Sequence, residues 1–95
     1  MNGAEALVRT LCAHGVTTVF GVPGESYLSV LEAMREHQDT LRFINTRHES
    51  GATFAADAYA RMHGTPGIAF VTRGPGATNA AIGIHTAKQD STPLV

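Results

Sequence analysis

The spacing of apolar residues changes within the first twenty positions of the chain. Leu7, Val8 and Leu11 recur at helical spacing, which predicts a first helix that ends near Gly15. Residues 17–20 are Thr-Thr-Val-Phe, and a run of β-branched and aromatic residues predicts a short strand. The chain therefore opens with a helix followed by a strand.

The rest of the chain repeats this alternation of helical and strand-like segments. The predicted elements are a helix capped by Ser26 with Leu28, Leu31 and Met34 on its apolar side, a strand over 41–45, a helix from Glu49 to Met62 ended by Gly64, a strand over 67–72, a helix from Ala77 to Ala87, and the start of a fourth strand at 93–95. Strands separated by helices predict βαβ crossovers and a parallel sheet, so the expected fold class is α/β.

Composition and charge exclude several classes of function. The chain has 95 residues, 43% of them hydrophobic, and a formal net charge of −1, which suits one small domain. Because there is no basic patch and no long apolar run, we expect neither nucleic acid nor a membrane as partner. The single cysteine, Cys12, excludes an internal disulfide and favours a cytoplasmic location.

The histidines do not form a metal-binding pattern. His48-Glu49 would need a second histidine at position 52 to match a zinc helix, and that residue is Ala52. We therefore expect no metal ligand in this chain. The other four histidines are expected on the surface or at helix ends, and they are His14, His37, His63 and His85.

The C-terminal residues are Pro93-Leu94-Val95, inside an apolar run. An unfinished strand would leave a sheet edge exposed. We therefore expect the sequence to be a fragment of a longer protein, incomplete at its C-terminus. The 95-residue chain alone is expected to be marginally stable and prone to associate.

Three loops follow predicted strands, at the edge where open parallel sheets bind ligands. They span Gly21–Glu25, Thr46–Glu49 and Thr72–Asn79. Two interpretations stay open from local sequence. The loops are ordinary turns with an acid near a helix start, or they hold a ligand site with Glu49 as a functional carboxyl. A glycine-rich turn can bind an anion, but this one lacks the lysine of a P-loop and a complete dinucleotide fingerprint.

Five motifs in order resemble the pyrimidine-binding domain of the thiamin-diphosphate-dependent enzymes, which include acetolactate synthase, pyruvate oxidase, benzoylformate decarboxylase and pyruvate decarboxylase. The motifs cover essentially the whole chain and are Val19–Gly24, Arg47–Glu49, Ala55–Arg61, Thr72–Asn79 and Asp90–Val95. The resemblance implies a flavodoxin-like three-layer fold. It also implies acetolactate synthase-like chemistry, in which a bond beside the carbonyl of a 2-oxo acid is formed or cleaved.

The same resemblance implies roles for single residues. Glu49 matches the glutamate that hydrogen-bonds the pyrimidine N1′ of thiamin diphosphate and so activates the cofactor. Pro23 and Gly24 match the loop beside the pyrimidine ring, and Pro75 and Asn79 match positions that line the same site.

Glu25 departs from the acetolactate synthase pattern. Acetolactate synthases usually have a small residue at the matching position, whereas some decarboxylases have an acid or a hydroxyl there. We therefore expect Glu25 to face the substrate, which leaves open whether the enzyme is a lyase, a carboligating transferase of branched-chain amino acid biosynthesis, or an oxidase.

Parts of the family's machinery are expected outside this sequence. The chain has no Gly-Asp-Gly motif followed by Asn, which in the family holds magnesium and the diphosphate. The middle domain, which binds FAD in some members, is also expected elsewhere. Residues 1–95 are thus interpreted as a partial pyrimidine-binding domain, inactive alone. A second subunit would complete the site in a homodimer or homotetramer.

Two alternatives remain open. A nucleotide-binding module of flavodoxin or Rossmann type would use the turn at Gly74-Pro75-Gly76. It would lose nucleotide binding if Gly76 became a bulky residue. A non-catalytic remnant or interaction module would bind no ligand and would tolerate Glu49→Gln.

Overall fold

Helices and short strands alternate in the computed structural model, which describes residues 1–95. The helices are α1 Gly3–Ala13, α2 Leu28–Glu36, α3 Glu49–His63 and α4 Gly74–Gln89. The strands are β1 Thr18–Gly21, β2 Arg42–Asn45 and β3 Ala69–Phe70. A single 3₁₀ turn, Glu25–Tyr27, precedes α2. The α/β fold predicted from the sequence is confirmed.

The strands form a parallel sheet in the order β2-β1-β3. Residues 93–95 run beside β3, where Gly67 and Leu94 form a parallel bridge and the Gly67 N–H donates to the Pro93 carbonyl at 3.0 Å. The predicted start of a fourth strand is therefore confirmed. Because β2 and β3 lie on opposite sides of β1, the strand order reverses between β1 and β3, and ligands of open α/β sheets bind at such a reversal.

Helices cover both faces of the sheet. On one face, Val19 of β1 packs in a core cluster with Val8 of α1 and Met34 of α2. On the other face, the next residue, Phe20, packs against Ala52 and Ala56 of α3. Successive strand residues point to opposite faces, so the central strand is buried on both sides and the architecture has three layers.

The helices α3 and α4 pack side by side and run in the same direction. The Thr53 hydroxyl donates to the Ala80 carbonyl at 3.1 Å. Further along both helices, Arg61 pairs with Asp90 at 2.5 Å. Since the contacts advance along both helices together, the two N-termini lie next to each other at the carboxyl edge of the sheet.

Four local predictions were wrong in detail. Ser26 does not cap α2, because its hydroxyl bonds across to Thr72 at 2.8 Å and the 3₁₀ turn takes the capping position. Leu28 is 59% exposed, and the buried residues of α2 are Ala33 and Met34. The third strand is shorter than predicted. Helix α4 begins at Gly74 because Pro75 fits the first helical turn.

No helix combines the length and the apolar character that crossing a membrane requires.

Candidate active site

The loops after the three strands meet at one edge of the sheet. Beyond β2, the Thr46 N–H donates to the Gly21 carbonyl at 2.9 Å, so the first two loops begin side by side. His48 then caps α3, because its Nδ1 accepts from the Ser50 N–H at 3.1 Å. This cap places Glu49 in the first turn of α3, at the carboxyl edge.

Glu49 is the buried carboxylate at this edge, with 9% of its surface exposed. Its Oε1 accepts a hydrogen bond from Asn79 Nδ2 of α4 at 3.2 Å. Its Oε2 accepts no hydrogen bond from the chain. The adjacent N-termini of α3 and α4 carry partial positive charge, which favours an anionic group between them. One oxygen is thus held by the protein, and the other is available to a ligand that donates a hydrogen bond.

The third loop approaches Glu49 through a position where only glycine fits. A Cβ placed on Gly76 would lie 2.7 Å from Thr72 Cγ2 and 3.2 Å from Glu49 Oε2. On the other side of Thr72, a Cβ on Gly24 would lie 2.5 Å from Thr72 Cβ. The Thr72 side chain therefore fills the space between the first loop and the third, and both glycines are needed for this close approach.

Tyr27 also lies at this edge, although its local sequence did not predict a place there. Its hydroxyl donates a hydrogen bond to the Val22 carbonyl, and its ring packs on Phe70 with centroids 5.7 Å apart. Burial raises the pKa of Tyr27, and the negative charge of Glu49 raises it further. No local signal marks Tyr27, because its role depends on chain segments that meet only in the fold.

The residues predicted for the site lie on the loops and helix starts of this edge. The structure brings two of them, Glu49 and Asn79, into direct contact. Gly24 is half-buried, and the remaining predicted residues, Pro23, Glu25 and Pro75, are exposed. Glu25 begins the 3₁₀ turn and forms no salt bridge with any cation of the chain.

No group of three or more His, Cys, Asp or Glu side chains is placed to hold a metal ion. The predicted positions of the four scattered histidines are confirmed. His14 and His37 follow the last residues of α1 and α2, and His63 is the last residue of α3. His85 is exposed on α4.

Comparison with known families gives one match that covers the whole chain. The model of the thiamine pyrophosphate enzyme, N-terminal TPP binding domain, matches residues 1–95. The chain belongs to this family. Membership confirms the family resemblance drawn from the five motifs, and it agrees with the observed parallel sheet.

Similar members of the thiamine pyrophosphate enzyme family carry two different activities in their names. The acetolactate synthase large subunit of Parasynechococcus marenigrum is 47% identical over 100% of this chain and 16% of its own length. A probable 2-ketoarginine decarboxylase of Pseudomonas aeruginosa is 46% identical over 100% of this chain and 17% of its own length. A probable acetolactate synthase large subunit of Methanococcus aeolicus is also 46% identical, over 100% of this chain and 16% of its own length.

The chain thus spans about one sixth of the length of these curated relatives. The sequence identity of this chain to the two synthases is nearly the same as its identity to the decarboxylase, so identity alone does not indicate which activity applies.

Proposed function

We propose that residues 1–95 receive the aminopyrimidine ring of thiamin diphosphate in an enzyme that acts on 2-oxo acids, with Glu49 as the carboxyl that contacts pyrimidine N1′. The supporting observation is the buried Glu49 carboxylate at the carboxyl edge of the sheet, with Oε1 bonded to Asn79 and Oε2 without a partner in the chain. A carboxyl group that exchanges a proton with a ring nitrogen needs an oxygen within hydrogen-bond reach of that nitrogen, and Oε2 has no competing partner in the chain.

The neighbouring residues fit the same cofactor. Gly24 and Gly76 let the first and third loops approach Thr72 closely, at the edge where the ring would lie. In this proposal Pro23 and Pro75 border the ring, and Asn79 orients the Glu49 carboxylate. The bound cofactor supplies the nucleophilic carbon for attack on the 2-oxo acid and takes up the electrons left by decarboxylation. We expect magnesium and the diphosphate to be held outside residues 1–95, in a site shared with a second subunit.

The proposal for Glu49 is tested by Glu49→Gln in the natural polypeptide that carries this chain. The amide keeps the size of the side chain but cannot relay a proton, so we expect turnover of 2-oxo acids to fall about 10²-fold or more. Circular dichroism and melting should stay near those of the wild type. Glu36→Gln, at the exposed end of α2, is the matched control. Retained activity in Glu49→Gln would favour a non-catalytic module instead.

Glu25 is proposed as the substrate-facing acid. It is exposed at the same edge and unpaired by any cation of the chain. An unpaired carboxylate there suits a 2-oxo acid with a positively charged end, such as the substrate in the name of the decarboxylase relative.

The substrate proposal is tested by comparing 2-ketoarginine with pyruvate. We expect Glu25→Gln to lower kcat/KM for the cationic substrate about tenfold, because it removes a charge-assisted contact. The value for pyruvate should change little. Equal loss for both substrates would assign Glu25 to general proton transfer, and no loss for either would remove it from the site.

A further inference from the structure

The first loop, Gly21–Glu25, is held near both of its ends by contacts with β3 and with the segment that follows β3. At its far end, the hydroxyls of Ser26 and Thr72 lie 2.8 Å apart. At its near end, the Val22 N–H donates to the Phe70 carbonyl at 3.3 Å, and the Val22 carbonyl accepts from the Tyr27 hydroxyl. The Val22 residue is therefore held through both its donor and its acceptor.

The Tyr27 side chain is held in place by contacts with β3. Tyr27 is 8% exposed, and its ring lies on Phe70 with an interplanar angle of 33°. The Phe70 carbonyl is 3.4 Å from the Tyr27 hydroxyl. The Tyr27 ring therefore packs on β3 while its hydroxyl contacts the Val22 carbonyl.

The residue that Tyr27 holds is the one before Pro23. A proline ring fixes its own φ and restricts the residue before it to extended backbone. The direction of the Val22 carbonyl therefore decides where Pro23 and Gly24 point. A Cβ on Gly24 would meet Thr72, and a Cβ on Gly76 would meet both Thr72 and Glu49 Oε2. The first loop and the Glu49 carboxylate therefore share one corner of the sheet edge, where the charge of Glu49 also adds to the raised pKa of Tyr27.

We propose that Tyr27 is a positioning residue of this active site, which holds the Val22 carbonyl and thereby sets how Pro23 and Gly24 are presented beside Glu49. The inference rests on the proposed function, since the loop is positioned for the thiamin diphosphate ring. Tyr27 itself touches no reacting atom.

The chain offers a matched control in its other tyrosine, Tyr59. The Tyr59 ring stacks on His63 with centroids 3.9 Å apart and meets the edge of Phe20. Its hydroxyl lies 3.4 Å from that of Thr17, before β1. Tyr59→Phe removes one hydroxyl of the same kind without touching the first loop.

The experiment compares Tyr27→Phe and Tyr59→Phe in the natural polypeptide. It measures the Kd for thiamin diphosphate by calorimetry, and amide exchange over residues 21–28 and over α4. We expect Tyr27→Phe to raise the Kd about two- to tenfold, the effect of one lost hydrogen bond, and to speed exchange in the loop alone. Tyr59→Phe should do neither.

Three results would count against the inference or against its basis. Unchanged Kd and unchanged loop exchange in Tyr27→Phe would overturn it. Faster exchange throughout the domain, with an equal loss of affinity in both variants, would assign Tyr27 a general structural role and would also overturn it. Failure of the wild type to bind thiamin diphosphate would remove the proposed function, and loop exchange alone would then decide whether Tyr27 holds the loop.

Discussion

Two ionisable side chains, Glu49 and Tyr27, lie together at the carboxyl edge of the sheet. Burial raises the pKa of Tyr27, and the charge of Glu49 raises it further, because a tyrosinate would lie near a carboxylate. Tyr27 is thus a neutral hydrogen-bond donor at physiological pH. Its titration consequently reports on the charge of its neighbour.

Replacement of Glu49 by Gln should lower the pKa of Tyr27. The charge of Glu49 is one of the two causes of the shift, so the pKa should fall but stay above its ordinary value because burial remains. The chain has two tyrosines, and a Tyr59→Phe background leaves Tyr27 as the one that absorbs as tyrosinate on alkaline titration. An unchanged titration curve would show that the two groups do not interact.

The same shift makes stability depend on pH in the alkaline range. The folded state binds the Tyr27 proton more tightly than the unfolded state, whose tyrosine has a pKa of about 10. Tyr27 therefore contributes stability that is fully present below about pH 10 and is lost as pH rises through the folded pKa. The free energy of unfolding, measured with urea, should fall more steeply above about pH 10 for the wild type than for Tyr27→Phe. If the two proteins lose stability in parallel as pH rises, the raised pKa of Tyr27 is contradicted.

Sequence and family motifs predicted some residues of the site and missed others, for physical reasons. Glu49 was predicted because it follows a strand within a motif that the family shares. The contact of its Oε1 with Asn79 joins residues 30 positions apart, and no spacing rule derives it. Thr72 fills the space between two loops and the Tyr27 hydroxyl bonds the Val22 carbonyl, and only the folded arrangement reveals these contacts.

Among the elements, α3 and α4 bring their N-termini together at the site. Small residues make this possible, since Ala52 and Ala56 of α3 pack on the sheet and Gly76 of α4 lies against Thr72 and Glu49. The distance between the two helix starts therefore determines how closely Asn79 and Gly76 of α4 lie to the Glu49 carboxylate.

A methyl group at Gly76 should crowd the start of α4 against Thr72 and Glu49. Its Cβ would lie 2.7 Å from Thr72 Cγ2, so we expect Gly76→Ala to lower the free energy of unfolding by about 1–3 kcal/mol. Gly51→Ala in α3 is the control, because its Cβ would meet Thr46 at an ordinary 3.7 Å. Gly51→Ala should be neutral or stabilise by up to about 1 kcal/mol. Equal effects in urea unfolding would contradict the close approach at Gly76.

Element boundaries were predictable where local chemistry decides them. Helix α3 was predicted from Glu49 to Met62 and runs to His63, because its alanines favour a helix and Gly64 ends it with φ 68°. The start of α2 was not predictable, since Ser26 bonds to Thr72 of another loop rather than to its own helix. Tertiary contacts overrode the local capping preference there.

The hydrophobic core of the molecule is small for a chain of this length. Only 21 of 95 residues are buried, and the largest fully buried side chains are Leu41, Val8, Val19 and Thr53. Meanwhile Ile82 of α4 is 56% exposed and Phe54 of α3 is 41% exposed. A core of small side chains with apolar residues left outside predicts low stability and association.

The 95-residue chain alone should therefore associate in solution. We expect light scattering to give a mass above 10.0 kDa that depends on concentration, and Ile82→Glu to shift it toward the monomer by placing charge on the exposed apolar surface. The control is Gln89→Glu, which adds the same charge at an exposed polar position of the same helix. It should leave the mass unchanged. A stable, cooperatively melting monomer would contradict this view.

The central claim, contact between Glu49 and pyrimidine N1′, is tested most directly by a binding cycle in the natural polypeptide. The Kd values of the wild type and Glu49→Ala are measured by calorimetry for thiamin diphosphate and for an analogue with C–H in place of N1′. If the two groups touch, loss of N1′ weakens binding to the wild type much more than binding to Glu49→Ala, with a coupling of about 1 kcal/mol or more. If the analogue loses the same affinity for both proteins, Glu49 does not contact N1′ and the proposed role is wrong.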